Sequence, residues 1–223
     1  MSVQEATHQV LDSAARAAET APLDAFAERL QTTVSRAFES QGERGEAWAN
    51  FLNGTWLGHP LHPVLTDLPI GFWNSSVALD MLEMLGARRM GAGADATLTL
   101  GLAAALAAAA AGLADYQHVE GEARRVGATH AILNSAATAL FGASLLLRRR
   151  GKRGGGKVLS LAGMSVATYS AYLGGNLAYK QQAGVNHAPQ ELPQAWTRAC
   201  TEARLREGTP TRCEAGDVPA MVV

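Results

Sequence analysis

Four stretches of the chain are almost free of charge: Val64 to Leu85, Ala96 to Leu113, Val126 to Leu147 and Val158 to Tyr179. Each approaches the roughly 20 apolar residues that a helix needs to cross the hydrocarbon of a bilayer. Charged residues crowd instead into residues 1 to 50, three short loops and the segment after Lys180. That segregation predicts an all-α, four-helix transmembrane bundle. Alanine and glycine replace much of the leucine, which keeps a soluble helical bundle as the alternative. Against it stand two stripes of small residues, Gly101, Ala105, Ala108 and Gly112 on the second segment and Gly163, Ala167, Ala171 and Gly174 or Gly175 on the fourth. Such stripes let helices approach closely where lipid gives apolar side chains no reason to associate.

Before the first apolar segment, Leu23, Phe26, Leu30, Val34 and Phe38 recur at helical spacing, and Thr20 followed by Pro22 is a start signal. This predicts an amphipathic N-terminal helix. It serves as a solvated or partner-binding arm, or it lies in the membrane interface; Glu28 and Glu39 on its polar face argue for the first. No basic stub leads into an apolar run at the N-terminus, so the first spanning helix is expected to direct insertion. The boundaries that follow are 1–50 for the helical arm, 51–180 for the transmembrane domain and 181–223 for a C-terminal tail.

Composition adds little to this picture except a negative. The 223 residues are 48% hydrophobic and carry a net charge of -1, with no basic excess to suggest nucleic acid as a partner. The distribution of charge is more informative. Arg88 and Arg89 in one loop and Arg148, Arg149, Arg150, Lys152, Arg153 and Lys157 in another put eight basic residues on one side, against Arg124, Arg125 and Lys180 on the other. By the positive-inside rule the basic loops are cytoplasmic and both termini face outward.

In that topology the polar residues of the apolar segments share the outer side: His59, His62 and Asp67, then Asp115, Tyr116 and His118, then His130 and Asn134, then Asn176 and His187. Pro60 and Pro63 bias His59 and His62 toward extended backbone, with Pro63 suited to a first helical turn. His130 and Asn134, at i and i+4, share a helix face. Asp67, at a depth where a carboxylate needs a compensating partner, is expected to pair with His62 or His130. Histidines from different helices of a bundle hold haem iron, and imidazole also suits zinc, copper and iron. The simpler alternatives are that His59 and His62 cap a helix among headgroups, that His130 bonds across the bundle to Asp67 or Asn176, and that His118 and His187 are solvated. Asp80 and Glu83 fall at the cytoplasmic end and read as interfacial. No C-x-x-C-H or H-E-x-x-H motif occurs, and no symmetry between the first and second pair of segments is legible, which weakens a transporter reading.

The segment GTWLGHPLHPVLTDLPIGFW, the LADYQ turn, Thr129-His130 and YLGGNLAYKQQAGVNH together resemble a bacterial family of four-helix membrane proteins, a domain of unknown function whose members are often followed by a Rieske iron-sulfur domain. The resemblance covers about residues 45 to 223. It implies the bacterial inner membrane, multi-pass, and a Rieske-type or other redox protein as partner. The tail ARLREGTPTRCEAGDVPAMVV is similar to the opening of a Rieske domain, but the C-x-H and C-x-x-H pairs that hold the cluster are not in this chain. Cys200 and Cys213 are then either a disulfide on an oxidising outer face or, as the simpler alternative, two free thiols.

The expected function is a redox or electron-transfer module. His62, His130, His59, Asp67 and Asn134 form its cofactor-binding cluster, and His62 and His130 are the metal ligands for haem b or another metal, or line a quinone site. The alternative is a structural anchor for a Rieske-type domain, with no cofactor of its own. No catalytic motif makes it an enzyme. Expected partners are the lipid bilayer, the redox protein, quinone and further copies of the chain.

Overall fold

A computed structural model describes residues 21–185, 195–216 and 218–222. His187 and Thr20, both singled out above, lie outside the described residues. The chain divides into two compact units between Gly184 and Val185.

The first unit is helical: α1 (Ala21–Glu39), α2 (Glu43–Leu52), α3 (Leu61–Met84), α4 (Gly91–Tyr116), α5 (Gly121–Arg149) and α6 (Arg153–Tyr179). The second, third and fourth predicted apolar segments lie within α4, α5 and α6, and the first lies within α3 except for Leu85, the residue that follows the helix. Among the described residues α4 and α5 are long and apolar enough to cross a membrane. α3 carries Asp67, Asp80 and Glu83, and α6 carries Arg153 and Lys157.

α3 packs along α4 and α5 along α6, as two antiparallel hairpins, while α4 touches α5 and α6 touches α3. α3 and α5 therefore face each other across the diagonal of the bundle. Three pairs meet on that diagonal. His62 and His130 rings lie 6.3 Å apart, Trp73 and Phe141 stack at 4.3 Å, and Asp80 is bonded to Arg148. All are separated by the same 68 residues. The buried positions of α3, Pro69, Trp73, Ser76 and Asp80, recur at that spacing on α5 as Ala137, Phe141, Ser144 and Arg148. Those of α4, Ala94, Leu98, Gly101, Ala108 and Ala111, recur 62 residues on in α6 as Gly156, Ser160, Gly163, Ser170 and Leu173. The first hairpin is thus repeated by the second about a pseudo-twofold axis, a symmetry not legible from sequence because few of the paired residues are identical.

Close approach within each hairpin depends on glycine. A Cβ on Gly101 would lie 2.6 Å from Trp73 Nε1, and one on Gly163 3.2 Å from the Phe141 ring. Trp73, Leu98 and Phe141 form the centre of the core. α1 docks at the α4–α5 turn: Leu23, Ala27 and Leu30 pack on Tyr116 and Ala128, and Gln31 Nε2 reaches the carbonyls of Tyr116, Gln117 and Val119. Part of the apolar face of the N-terminal helix is thereby covered from within the chain, while Phe26 stays exposed.

The second unit contains an antiparallel hairpin of β1 (Thr211–Ala215) and β2 (Val218–Val222). Glu214 N donates to Ala199 O at 3.2 Å, which brings the preceding segment alongside β1, and Cys200 and Cys213 are joined in a disulfide with Cα atoms 5.5 Å apart. The free-thiol alternative is overturned.

Candidate functional site

His62 is the second residue of α3. The turn before it is set by Gly54, whose positive φ of 76° keeps the backbone against His59 and Leu61, where a Cβ could not fit. The ring reaches into the first hairpin and donates from Nδ1 to Ala108 O at 2.7 Å. His130, on α5, does the same in the second hairpin, donating from Nδ1 to Ser170 O at 2.8 Å. Gly112 and Gly174 make room for the rings. A Cβ on Gly112 would lie 2.8 Å from the His62 ring, and one on Gly174 3.1 Å from that of His130.

Because a carbonyl only accepts, both rings carry their proton on Nδ1 when neutral, leaving Nε2 as a lone pair. The two lone pairs are treated differently. Asn134 Nδ2, one turn along α5, donates to Nε2 of His130 at 2.9 Å. Its counterpart on α3 is Thr66, whose hydroxyl turns back to Pro63 O at 2.7 Å. Nε2 of His62 makes no hydrogen bond among the described residues.

His62, His130 and Asn134 are thus brought together. His59 and Asp67 are not. His59 is exposed and donates to Pro60 O at 3.1 Å. Asp67 is exposed and has no partner among the described residues, so its expected pairing with His62 or His130 is wrong. The reason is azimuth: five residues past His62 at about 100° each is about 140° around the helix, away from the axis. Asn74 shares that outward face. The expected bond from His130 to Asp67 or Asn176 is also replaced, by Ser170 and Asn134. His118 is exposed. Among the described residues no three His, Cys, Asp or Glu side chains gather as a metal site.

The opposite end of the axis holds a cluster that sequence reasoning missed. The Arg148 side chain, fully shielded from solvent, is bonded to Asp80 and lies 3.0 Å from Asp95. It also donates from Nε to Ser144 Oγ at 3.1 Å and from Nη2 to Ser160 Oγ at 2.9 Å. Arg153 contacts Asp95 at 2.8 Å and Glu83 at 2.9 Å, and Lys157 contacts Glu83 at 2.9 Å. Every acid comes from the first hairpin and every base from the second. Asp80 and Glu83 are therefore not simply interfacial, and three of the basic residues assigned to the loop side are neutralised inside the protein. The signal that could have found this is the 68-residue spacing, which places Arg148 opposite Asp80.

The model of one protein family, described as predicted membrane protein (DUF2231), matches residues 58–187. No curated protein and no solved structure matches the chain. The matched region spans all four long helices and both ends of the axis, and the chain belongs to that family.

Proposed function

We propose that this protein is a four-span redox module of the bacterial inner membrane, in which His62 and His130 hold haem b or another metal, or bind a quinone, and exchange electrons with a Rieske-type or other redox partner. The observation that carries this reading is the facing pair of imidazoles on the pseudo-twofold axis, each with Nδ1 tied to a main-chain carbonyl. Metal-bound histidines are held in this way, since a carbonyl on one nitrogen fixes the tautomer and aims the other. With metal–nitrogen bonds of about 2 Å, a metal between two Nε2 atoms sets ring centres roughly 6 Å apart, close to the 6.3 Å found here. Two imidazoles without a third protein ligand suit a metal that brings its own equatorial ligands, as haem does. The open Nε2 of His62 would equally accept a quinol hydroxyl.

The small-residue contacts between helices and the outward Leu100, Leu106, Val158 and Leu161 support all four helices lying in lipid. The disulfide supports an external C-terminal unit, because such bonds persist in oxidising compartments. The exposed Arg89, Arg149, Arg150 and Lys152 support a cytoplasmic opposite end. Reporter fusions after Arg150 should behave as cytoplasmic and fusions after Tyr179 as external; agreement between the two would rule out four spans.

The reading is tested by haem, metal and quinone content of protein purified from membranes. Stoichiometric cofactor that is lost in His62→Ala is expected. Cofactor-free protein, even after haem and metal supplementation of the culture, would overturn it. A structural anchor is the second reading, favoured by the Asn134 amide on Nε2 of His130, which completes that ring's hydrogen bonds without any ligand.

A further inference from the structure

The turn of helix ahead of the histidine end carries an aromatic patch that nothing among the described residues covers. Trp48 and Phe51 on α2 and Trp56 in the turn before α3 are 57%, 49% and 61% exposed. They are nonetheless ordered against one another, Trp48 edge-on to Phe51 at 6.0 Å and Phe51 stacked on Trp56 at 5.9 Å. Trp56 donates its Nε1–H to Phe51 O at 3.0 Å, so its indole leaves no donor unsatisfied if taken out of water.

α2 is divided into three faces. Gly45, the one buried residue of the helix, turns toward α1, where it abuts the Phe38 carbonyl so closely that no Cβ could be accommodated. Arg44, Trp48 and Phe51, at i, i+4 and i+7, share a second face, and Glu43, Glu46 and Asn50 lie across from it. A cation set among aromatics, with carboxylates turned to the far side, is the arrangement that suits a phosphate headgroup layer over hydrocarbon. α2 also lies against α4, one of the two helices apolar enough to cross a membrane, which puts the patch beside a candidate spanning helix.

We infer that α2 is a membrane-surface helix: Trp48, Phe51 and Trp56 enter the headgroup region of one leaflet, Arg44 meets lipid phosphate, and the helix fixes how deep the adjoining histidine end sits. Aromatic belts at this level anchor spanning proteins in the same way. The test uses the full chain in phosphatidylcholine vesicles with bromine placed near the acyl carbonyls or near the terminal methyls. Wild-type tryptophan emission should fall with the shallow bromines and much less with the deep ones. Trp48→Phe/Trp56→Phe, both surface changes, should abolish most of the shallow effect at unchanged melting temperature, and Arg44→Glu should weaken it. Equal shallow quenching in wild type and the double variant, or aqueous iodide quenching in wild type beyond that left in the double variant, where Trp196 remains exposed, would overturn the inference. So would a self-associated form that disperses in the double variant, which would mean a second copy covers the patch.

Discussion

The two ends of the pseudo-twofold axis are built from symmetry-related positions and solve opposite problems. At the ionic end the repeat is kept in place but reversed in charge: Asp80 stands opposite Arg148, and Asp95 matches Lys157. The halves are complementary, and the ion pairs run from one hairpin to the other. At the histidine end the repeat is kept in kind, imidazole for imidazole and glycine for glycine, and each ring is bonded within its own hairpin. The rings then meet at right angles, 6.3 Å apart, with no bond between them. One end locks the hairpins together; the other sets two imidazoles across the same seam, the pair we propose as ligands.

The largest effect that could break this contrast is expected at the lock. Asp80→Ala leaves the Arg148 guanidinium buried without its closest carboxylate and should lower stability by about 3–5 kcal/mol, read by unfolding in detergent. Replacing both with apolar residues of similar volume, Asp80→Leu/Arg148→Met, should recover most of that loss. A single variant as stable as wild type would remove the distinction between the ends.

Next come the glycines under the rings. Gly112→Ala puts a methyl against His62 and should cost about 1–3 kcal/mol. Gly174→Ala, with slightly more room, should cost less, and the order of the two is the informative outcome. His130→Ala strands the Asn134 amide and should cost about 1–2 kcal/mol while leaving membrane insertion intact.

How much of this was legible in the sequence differs between the ends. The four long helices were legible because each coincides with a long, mostly apolar run carrying few charges. His62, His130 and Asn134 were legible as a group because up-and-down topology puts their helix ends on one side. Asp67 was misplaced because depth in a helix was read without azimuth. The lock was hidden because arginines beside a loop satisfy the positive-inside rule so well that no partner is sought for them. The disulfide was legible only as one of two alternatives, since two cysteines 13 residues apart are bridged only if the fold closes the segment between them.

The smallest expected effect lies midway along the axis. Trp73 Nε1 is buried without a hydrogen-bond partner, and the symmetry-related position is Phe141. Trp73→Phe removes an unsatisfied donor while keeping a stacked ring, so its loss of stability should stay under about 1 kcal/mol by the same unfolding measurement.

The central claim, that the histidine end is a ligand pair and not packing, is tested most directly by the reduced-minus-oxidised visible spectrum of the purified protein beside His62→Ala and Asn134→Ala. The account predicts a reducible band in wild type, its loss in His62→Ala, and its retention in Asn134→Ala, where Nε2 of His130 is released from its amide. A featureless spectrum in all three, with stability the only property that changes, would contradict it.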